Sequence, residues 1–140
     1  MAFWLLKSEP GCYSFDDLEA EPDRSTGWDG VRNFEARNNL RAMKAGDLVL
    51  FYHSSEGKAV AGVAKITREA YPDPTAEGED WSVVELAPVV PLKLQVSLED
   101  IRSEPDLAEI QLLKRSRLSV VPVSKEHFDR ILKMGKTKIA

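Results

Sequence analysis

Four short segments of this 140-residue chain carry more aromatic, hydroxyl and charged side chains than a packed scaffold needs. They are Trp4–Pro10, Trp28–Asn33, Phe51–Ser54 and Arg115–Val120. Such residues suit a pocket for one unstacked nucleobase, which needs aromatic planes, hydrogen-bonding groups for the base edge and cations for the flanking phosphates. The segments therefore indicate recognition of a base in nucleic acid.

Each of these three roles has candidates in the four segments. Rings for stacking are present at Trp28, Phe51 and Tyr52. Groups for a base edge are present at Ser8, Glu9, Asn33, His53, Ser54 and Ser119. Cations for phosphates are present at Lys7, Arg32, Arg115 and Arg117. Because stacking of one base on an aromatic ring is worth roughly 1–3 kcal/mol, one or two of these rings decide the affinity.

Packing and ion pairing compete with these roles. Trp4 and Phe51 have apolar neighbours in the sequence, which predicts that both rings lie in the core. Trp28 stands among polar residues and turn formers. Its ring is therefore equally consistent with exposure to solvent and with packing against the protein. Lys7 and Glu9 project from the same face of a predicted strand, which is equally consistent with a structural ion pair.

The sequence lacks the signatures of the common cofactor and metal sites. It contains no glycine-rich phosphate loop, no Gly-x-Gly pattern between a strand and a helix, and no nucleophile elbow. His53 and His127 stand far apart, and neither has metal-ligand spacing around it. The single cysteine, Cys12, excludes an intramolecular disulfide and favours a small apolar packing role over a nucleophile paired with His53. We predict neither a cofactor nor a metal.

Composition places the chain among ordinary globular domains. Hydrophobic residues make up 43% and charged residues 30%, which suits a single core. The apolar run Phe3–Leu6 is too short for a signal peptide or a membrane span, so we expect a cytoplasmic protein, nuclear in a eukaryote, without a membrane partner. The net charge of -4 argues against indiscriminate phosphate binding. Basic residues nevertheless gather within 32–44 and 114–117, which form either a positive face or an ordinary mixed surface.

Short apolar runs predict the strands. They are Phe3–Lys7, Asp47–Tyr52, Ala59–Ala70, Trp81–Val90 and Leu118–Val123. Ser54–Gly57 has hairpin chemistry, so the two strands that flank it are expected to pair antiparallel. Pro88 and Pro91 predict that the fourth strand ends at a sheet edge. The polar residues 73–80 predict a mobile loop.

Capping residues predict the helices. They begin after Ser14, Asn33, Ser97 and Ser124, and Pro105 opens a further helical turn. The helix after Asn33 is expected to end at Gly46 and the last helix at Gly135, while residues 27–30 indicate a turn. Strands with hairpin links outnumber crossover helices, which predicts an α+β domain around a small, largely antiparallel sheet or barrel.

In their amino-acid sequence and in their order along the chain, the four segments resemble the EVE domain family. The matching letters are WLLKSEP at 4–10, WDGVRN at 28–33, FYHS at 51–54 and SRLSV at 116–120. ARNNL at 36–40 and YPD at 71–73 lie between them. The likeness runs from Ala2 to about Lys133, and Phe34 stands where the family has tyrosine.

This resemblance implies a PUA-like fold related to the YTH and ASCH domains, a small mixed and mostly antiparallel β-barrel with flanking short helices. It implies one domain over residues 2–134, followed by a tail at 135–140. It also implies a non-catalytic module whose partner is DNA or RNA with a modified base, such as methylated or hydroxymethylated cytosine. The sequence does not fix the oligomeric state, and a monomer is favoured. The pocket residues implied by position are Lys7, Ser8, Glu9, Trp28, Asp29, Gly30, Val31, Arg32, Asn33, Tyr52, His53, Ser54, Ser116, Arg117, Leu118 and Ser119.

Two other functions stay open at this stage. Some ASCH-like relatives cleave amides on modified nucleosides with a lysine and a carboxylate. By that resemblance Lys7 and Glu9 would be the catalytic pair, and Ser8 or Cys12 the nucleophile. Free amides at the helix start after Asn33, together with Arg32, also suit a small anion or a nucleotide.

Overall fold

A computed structural model describes residues 2–23, 25–29, 31–55, 57–75 and 81–139. The strands in this part of the chain are β1 (Phe3–Ser8), β2 (Thr26–Trp28), β3 (Leu48–His53), β4 (Ala59–Pro72), β5 (Ser82–Ser97) and β6 (Val120–Val123). The helices are α1 (Phe15–Glu19), α2 (Phe34–Ala42), α3 (Leu98–Ser103), α4 (Gln111–Lys114) and α5 (Lys125–Met134), with a 3₁₀ turn at Pro105–Leu107. None of the described helices is long and apolar enough to cross a membrane.

The described strands form one sheet in the order β2-β5-β4-β3-β1-β6. Neighbours are antiparallel except β1 and β3, which run parallel with Lys7 beside Tyr52 and Ser8 beside His53. Antiparallel β6 joins the other side of β1, with Leu6 beside Val120. The carboxyl ends of β1 and β3 and the amino end of β6 therefore lie together at one end of the sheet.

The sheet curls back on itself. Since β5 and β4 separate β2 from β3, a flat sheet with a strand spacing of about 4.8 Å would place β2 and β3 roughly 14 Å apart. The ring of Trp28 on β2 nevertheless lies 5.5 Å from that of Phe51 on β3, centroid to centroid. Four irregularities in the pairing of β4 with β5 allow this bend. The predicted α+β, barrel-like and mostly antiparallel architecture is confirmed.

The core fills the inside of the curl, and α1 closes one end of it. Phe51 is fully buried and Trp4 is 7% exposed, so the prediction that both rings are core residues is confirmed. The capping box of Ser14 and Asp17 starts α1 as expected and places Phe15 against Phe51 with 5.5 Å between ring centroids. This packing brings α1 to the carboxyl end of β3.

Helix α2 ends earlier than predicted because a buried carboxylate accepts a hydrogen bond from the backbone just after the helix. Asp47 is 3% exposed, and its side chain accepts hydrogen bonds from the N–H of Lys44 at 2.9 Å and from the indole Nε1 of Trp4 at 3.0 Å. These bonds hold a turn in which Gly46 has φ of +94°, so the helix ends at Ala42 and not at Gly46.

Strand β5 also departs from its prediction. It does not end at Pro88 or Pro91 but continues to Ser97. Strand β2 pairs only with Val84–Leu86, so the later part of β5 has β4 as its one described neighbour. A proline tolerates such an edge position because its missing N–H faces no partner strand.

Residues 26–28 form strand β2, which corrects the prediction of a turn across 27–30. Gly27 stands beside Glu85 of β5. The sequence pattern did not predict this strand, because three residues are too few to show the alternation of a strand. The strand forms because it pairs with β5. Of the loop predicted at 73–80, residues 76–80 lie outside the described residues.

Candidate nucleic-acid interface

Three of the four segments meet at the carboxyl end of β1. The N–H of Ser54 donates to the carbonyl of Ser8 at 2.8 Å, which joins the β3 end to the β1 end. The N–H of Lys7 donates to the carbonyl of Ser119 at 3.0 Å, and its Nζ donates to the carbonyl of Ser116 at 2.8 Å. The end of β1 is therefore held between the Phe51–Ser54 segment and the segment before β6.

The remaining segment reaches the same place through ring packing. The centroid of Trp28 lies 6.1 Å from that of Tyr13, and its edge-on contact with Phe51 fixes its other side. Trp28 is half-buried. The two alternatives for this ring combine in one residue, because it packs against the core and still presents a surface to solvent.

Beside Trp28 lies a hollow of about 340 Å³, which we call the Trp28 cleft. Its lining residues are Ser8, Tyr13, Thr26, Gly27, Trp28 and Asp29. This volume lies at the small end of the range of ligand pockets, roughly 300–1,000 Å³. The cleft combines two aromatic rings with hydroxyl and carboxylate groups.

Hydrogen bonds fix two groups of the Trp28 cleft and leave a third one open. The hydroxyl of Ser8 donates to the carbonyl of Tyr13 at 2.5 Å, and the hydroxyl of Tyr13 donates to Glu21 at 2.8 Å. Burial and the adjacent Glu21 raise the pKa of Tyr13 to about 12, so the phenol is neutral. Asp29 is exposed and has no hydrogen-bond partner among the described residues, which leaves a free acceptor in the wall.

His53 holds the scaffold at this end of β3. Its Nε2 accepts a hydrogen bond from the N–H of Phe15 at 3.0 Å, and its ring lies 5.8 Å from that of Phe51. Burial lowers the pKa of His53, although the charge of Asp16 opposes this shift. Because Nε2 is already occupied, His53 contributes to the site by fixing α1, a role that sequence reasoning did not assign.

A second hollow, which we call the Lys7 cleft, lies on the other face of β1. Side chains alternate along a strand, so Lys7 opens on this cleft and Ser8 on the Trp28 cleft. The volume is about 450 Å³, and the lining residues are Lys7, Tyr52, Ser54, Ser55, Lys58, Leu98, Arg102, Leu112, Leu113 and Ser116. Lys58 and Arg102 are isolated cations in the sequence, and no motif pointed to them.

The arginines of the predicted basic rim differ in their engagement. Arg32 donates to Asp73 at 3.0 Å and to Thr75 at 3.2 Å, and the side chain of Asp73 is fully buried. Arg115 donates to both oxygens of Glu35 on α2 at 2.6 and 2.5 Å. These two charges are therefore partly neutralised within the protein.

Arg117 is exposed and has no ion pair or hydrogen bond among the described residues. It lines a third hollow, of about 290 Å³, whose other lining residues are Asn33, Lys114, Arg115, Ser116 and Leu118. The basic stretch at 114–117 thus lies at the start of α2, while none of the basic residues within 32–44 lines this hollow. The Oδ1 of Asn33 accepts from the N–H of Ala36 at 2.9 Å and caps that helix as predicted.

The remaining predicted residues lie behind or beside these hollows. Val31 is 7% and Leu118 5% exposed, so both are packed in the core behind the surface. Glu9 is exposed, and its carboxylate lies 3.8 Å from the Sγ of Cys12, not against Lys7. Gly30 lies outside the described residues. Within the described ranges, His, Cys, Asp and Glu form no cluster of three that could hold a metal ion.

The fold is PUA-like, as predicted. It is similar to the YTH domain of the MRB1 protein of Zygosaccharomyces rouxii, with a TM-score of 0.59 over 99% of this chain and 88% of that one. The two sequences are 16% identical, so this likeness concerns the fold alone.

Other solved structures are far more similar. Protein Atu2648 of Agrobacterium tumefaciens has a TM-score of 0.94 at 40% identity, covering 98% of this chain and 94% of that one. Human THYN1, solved in complex with DNA containing 5-methylcytosine, has a TM-score of 0.89 at 35% identity, covering 99% of each chain.

The likeness extends to full-length sequences and to a family model. Human thymocyte nuclear protein 1 is 37% identical over an alignment of 163 positions, gaps included, which covers 94% of this chain and 72% of that protein. Residues 2–134 match the sequence model of the EVE domain. This chain therefore belongs to the EVE domain family.

Proposed function

We propose that this protein is a non-catalytic module that holds one modified base of a nucleic acid in the Trp28 cleft. The observation that carries the proposal is the convergence of all four segments on the end of β1, beside a half-buried indole. An unstacked base needs such an aromatic surface together with polar groups for its edge. The human relative bound to 5-methylcytosine DNA supports this proposal.

The wall of the cleft favours a base with an exocyclic amine. Asp29 offers a carboxylate that accepts hydrogen bonds and donates none. The proton of the Ser8 hydroxyl is engaged by Tyr13, so this oxygen also faces a ligand as an acceptor. Two acceptors match the amine on the edge of cytosine or adenine better than the carbonyl of thymine or uracil.

An amidohydrolase is the second candidate, and one observation favours it. Burial lowers the pKa of Lys7, as a catalytic lysine requires. Its proposed nucleophile Ser8, however, opens on the opposite face of β1 and donates its proton to a backbone carbonyl. Glu9 contacts Cys12 and not Lys7, so the described residues offer no connected lysine, carboxylate and nucleophile. We therefore place base recognition first.

Fluorescence anisotropy tests the proposal directly. Short single- and double-stranded DNA and RNA oligonucleotides, each with one modified or unmodified base, are titrated at two salt concentrations. We expect tighter binding to one modified base, lost in Trp28→Ala and reduced in Asp29→Asn. Leu94→Ala is the matched control, because Leu94 is 50% exposed and lines none of the three hollows.

Equal and strongly salt-dependent binding to every oligonucleotide would overturn the proposal, since that pattern reports backbone attraction alone. Hydrolysis of modified nucleosides, abolished in Lys7→Gln, would then establish the amidohydrolase. One relative is named thymocyte nuclear protein 1, so we propose a nuclear location for a eukaryotic source and a cytoplasmic one otherwise.

A further inference from the structure

The Lys7 cleft concentrates positive charge on a protein whose net charge is -4. Its wall carries Lys7 from β1, Lys58 from the residue before β4, and Arg102 from α3, and its described lining includes no carboxylate. The carbonyl of Lys58 accepts from the N–H of Leu98 at 2.9 Å, which ties the Lys58 backbone to the start of α3. Separate elements thus hold three cations around one hollow.

None of these cations has a counter-charge in the described part of the chain. Lys58 and Arg102 make no ion pair there. The ammonium of Lys7 donates only to the carbonyls of Ser116 at 2.8 Å and Arg115 at 3.4 Å. Lys7 is half-buried, and this burial lowers its pKa because it disfavours the charged form. An anion in the cleft would supply the missing compensation.

Tyr52 adds an unpaired hydrogen-bond donor to the wall of the Lys7 cleft. It is 3% exposed and lines the cleft, yet its hydroxyl has no hydrogen-bond partner among the described residues. Burial raises the pKa of Tyr52, and the nearby positive charge of Arg102 opposes this shift. The hydroxyl is not among the buried unpaired atoms of the described residues, so it reaches the surface of the cleft and, as a neutral phenol, is free to donate to an acceptor oxygen from outside.

We propose that the Lys7 cleft binds a backbone phosphate of the nucleic-acid strand whose base occupies the Trp28 cleft. Lys58 and Arg102 supply charge, and the hydroxyl of Tyr52 donates to a phosphate oxygen. Lys7 and Ser8 are adjacent and open on opposite faces of β1. A nucleic-acid strand that occupies both clefts therefore bends around the end of β1. The identity of the strand rests on the proposed function, whereas the phosphate chemistry rests on the cleft itself.

A cycle between protein cations and single phosphates tests this inference. The probe is a short single-stranded DNA with one central 5-methylcytosine, in which each linkage in turn is replaced by a neutral methylphosphonate. Lys58→Gln and Arg102→Gln should each weaken binding of the unsubstituted probe, and of its unmodified counterpart, by the same factor of about ten. The slope of log K against log salt should fall by about 0.7 for each variant.

At the contacted linkage the effects should not add. A methylphosphonate there should weaken binding to the wild type by a larger factor than binding to Lys58→Gln, Arg102→Gln or Tyr52→Phe, because each variant has already lost one contact to that phosphate. Lys65→Gln is the matched control, because Lys65 is exposed and stands beside Leu48 at the opposite end of β3. It should keep the wild-type affinity and salt slope.

Two outcomes would overturn the inference. One is that no linkage couples to either cation. The other is that both variants weaken binding of the free 5-methylcytidine 5′-monophosphate and leave the oligonucleotide unaffected, which would assign the cleft to a mononucleotide. Equal binding of modified and unmodified probes would refute the proposed function only, since linkage coupling still decides the phosphate site.

Discussion

His53 and Phe15 are joined by a hydrogen bond in which a ring nitrogen accepts from the main chain. The N–H of Phe15 donates to Nε2 of His53 at 3.0 Å, which requires an imidazole without a proton at that atom. The bond fixes the first turn of α1 against the end of β3. Burial of the ring lowers its pKa and so favours the accepting form.

This bond predicts a loss of stability in mild acid. The pKa of His53 lies lower in the folded protein than its ordinary value of about 6.5, so the unfolded chain binds more protons between the two values. The contribution is complete above about pH 6.5 and is lost as the pH falls through the folded-state pKa. Urea unfolding across this window measures it, and His53→Gln, which retains an acceptor, should remove the dependence.

His127→Gln is the matched control for this measurement. It removes an imidazole on α5, away from the bond to Phe15, so the acid sensitivity should remain. An unchanged acid sensitivity in His53→Gln would show that the bond to Phe15 is not its source.

Substitution of Gly62 should loosen the same corner from the other side. A Cβ at Gly62 would lie 2.5–2.7 Å from three ring carbons of Phe15, which is itself only 2% exposed. Gly62→Ala therefore forces Phe15 to move, at a cost of about 1–3 kcal/mol in the free energy of unfolding. Gly11→Ala meets nothing within 4 Å and should change stability by less than about 0.5 kcal/mol. Equal effects of the two substitutions would contradict this account.

Arg117 and Arg32 should separate binding from stability. Arg117 has no partner in the described chain, so Arg117→Gln should weaken oligonucleotide binding and lower the salt slope by about 0.7 on single strands, with no change in melting temperature. Arg32 neutralises the buried carboxylate of Asp73 but is itself 40% exposed. Arg32→Gln should therefore lower the unfolding free energy by about 1 kcal/mol. The assignment of roles is wrong if the two variants show the reverse pattern in anisotropy and thermal unfolding.

Tyr52→Phe should leave the folded protein at least as stable as the wild type. The hydroxyl has no partner to lose among the described residues, and the ring that packs beside β1 is retained. We expect a change between zero and an increase of about 1 kcal/mol in unfolding free energy. A loss well above that size in calorimetry would reveal a hydrogen bond made by this hydroxyl within the protein.

Local capping chemistry predicted the helix starts because it depends only on neighbouring residues. Ser14 and Ser97 each form a capping box with the residue three positions later, and Ser124 caps α5. Features set by distant partners were not predictable in this way. Asp47 ends α2 early because it also binds Trp4, and β2 exists because it pairs with β5.

The sequence by itself determined the family, the α+β class and the four segments of the candidate site, because these depend only on residue types and their order. Tertiary structure decided how each candidate is used. It engaged His53 with Phe15 and Arg32 with Asp73, and it left Arg117 unpaired among the described residues. It also placed Lys58 and Arg102 beside Lys7. Whether a side chain is available to bind a ligand depends on whether residues distant in the sequence already bond to it. Only the tertiary structure decides which of those residues come within bonding distance.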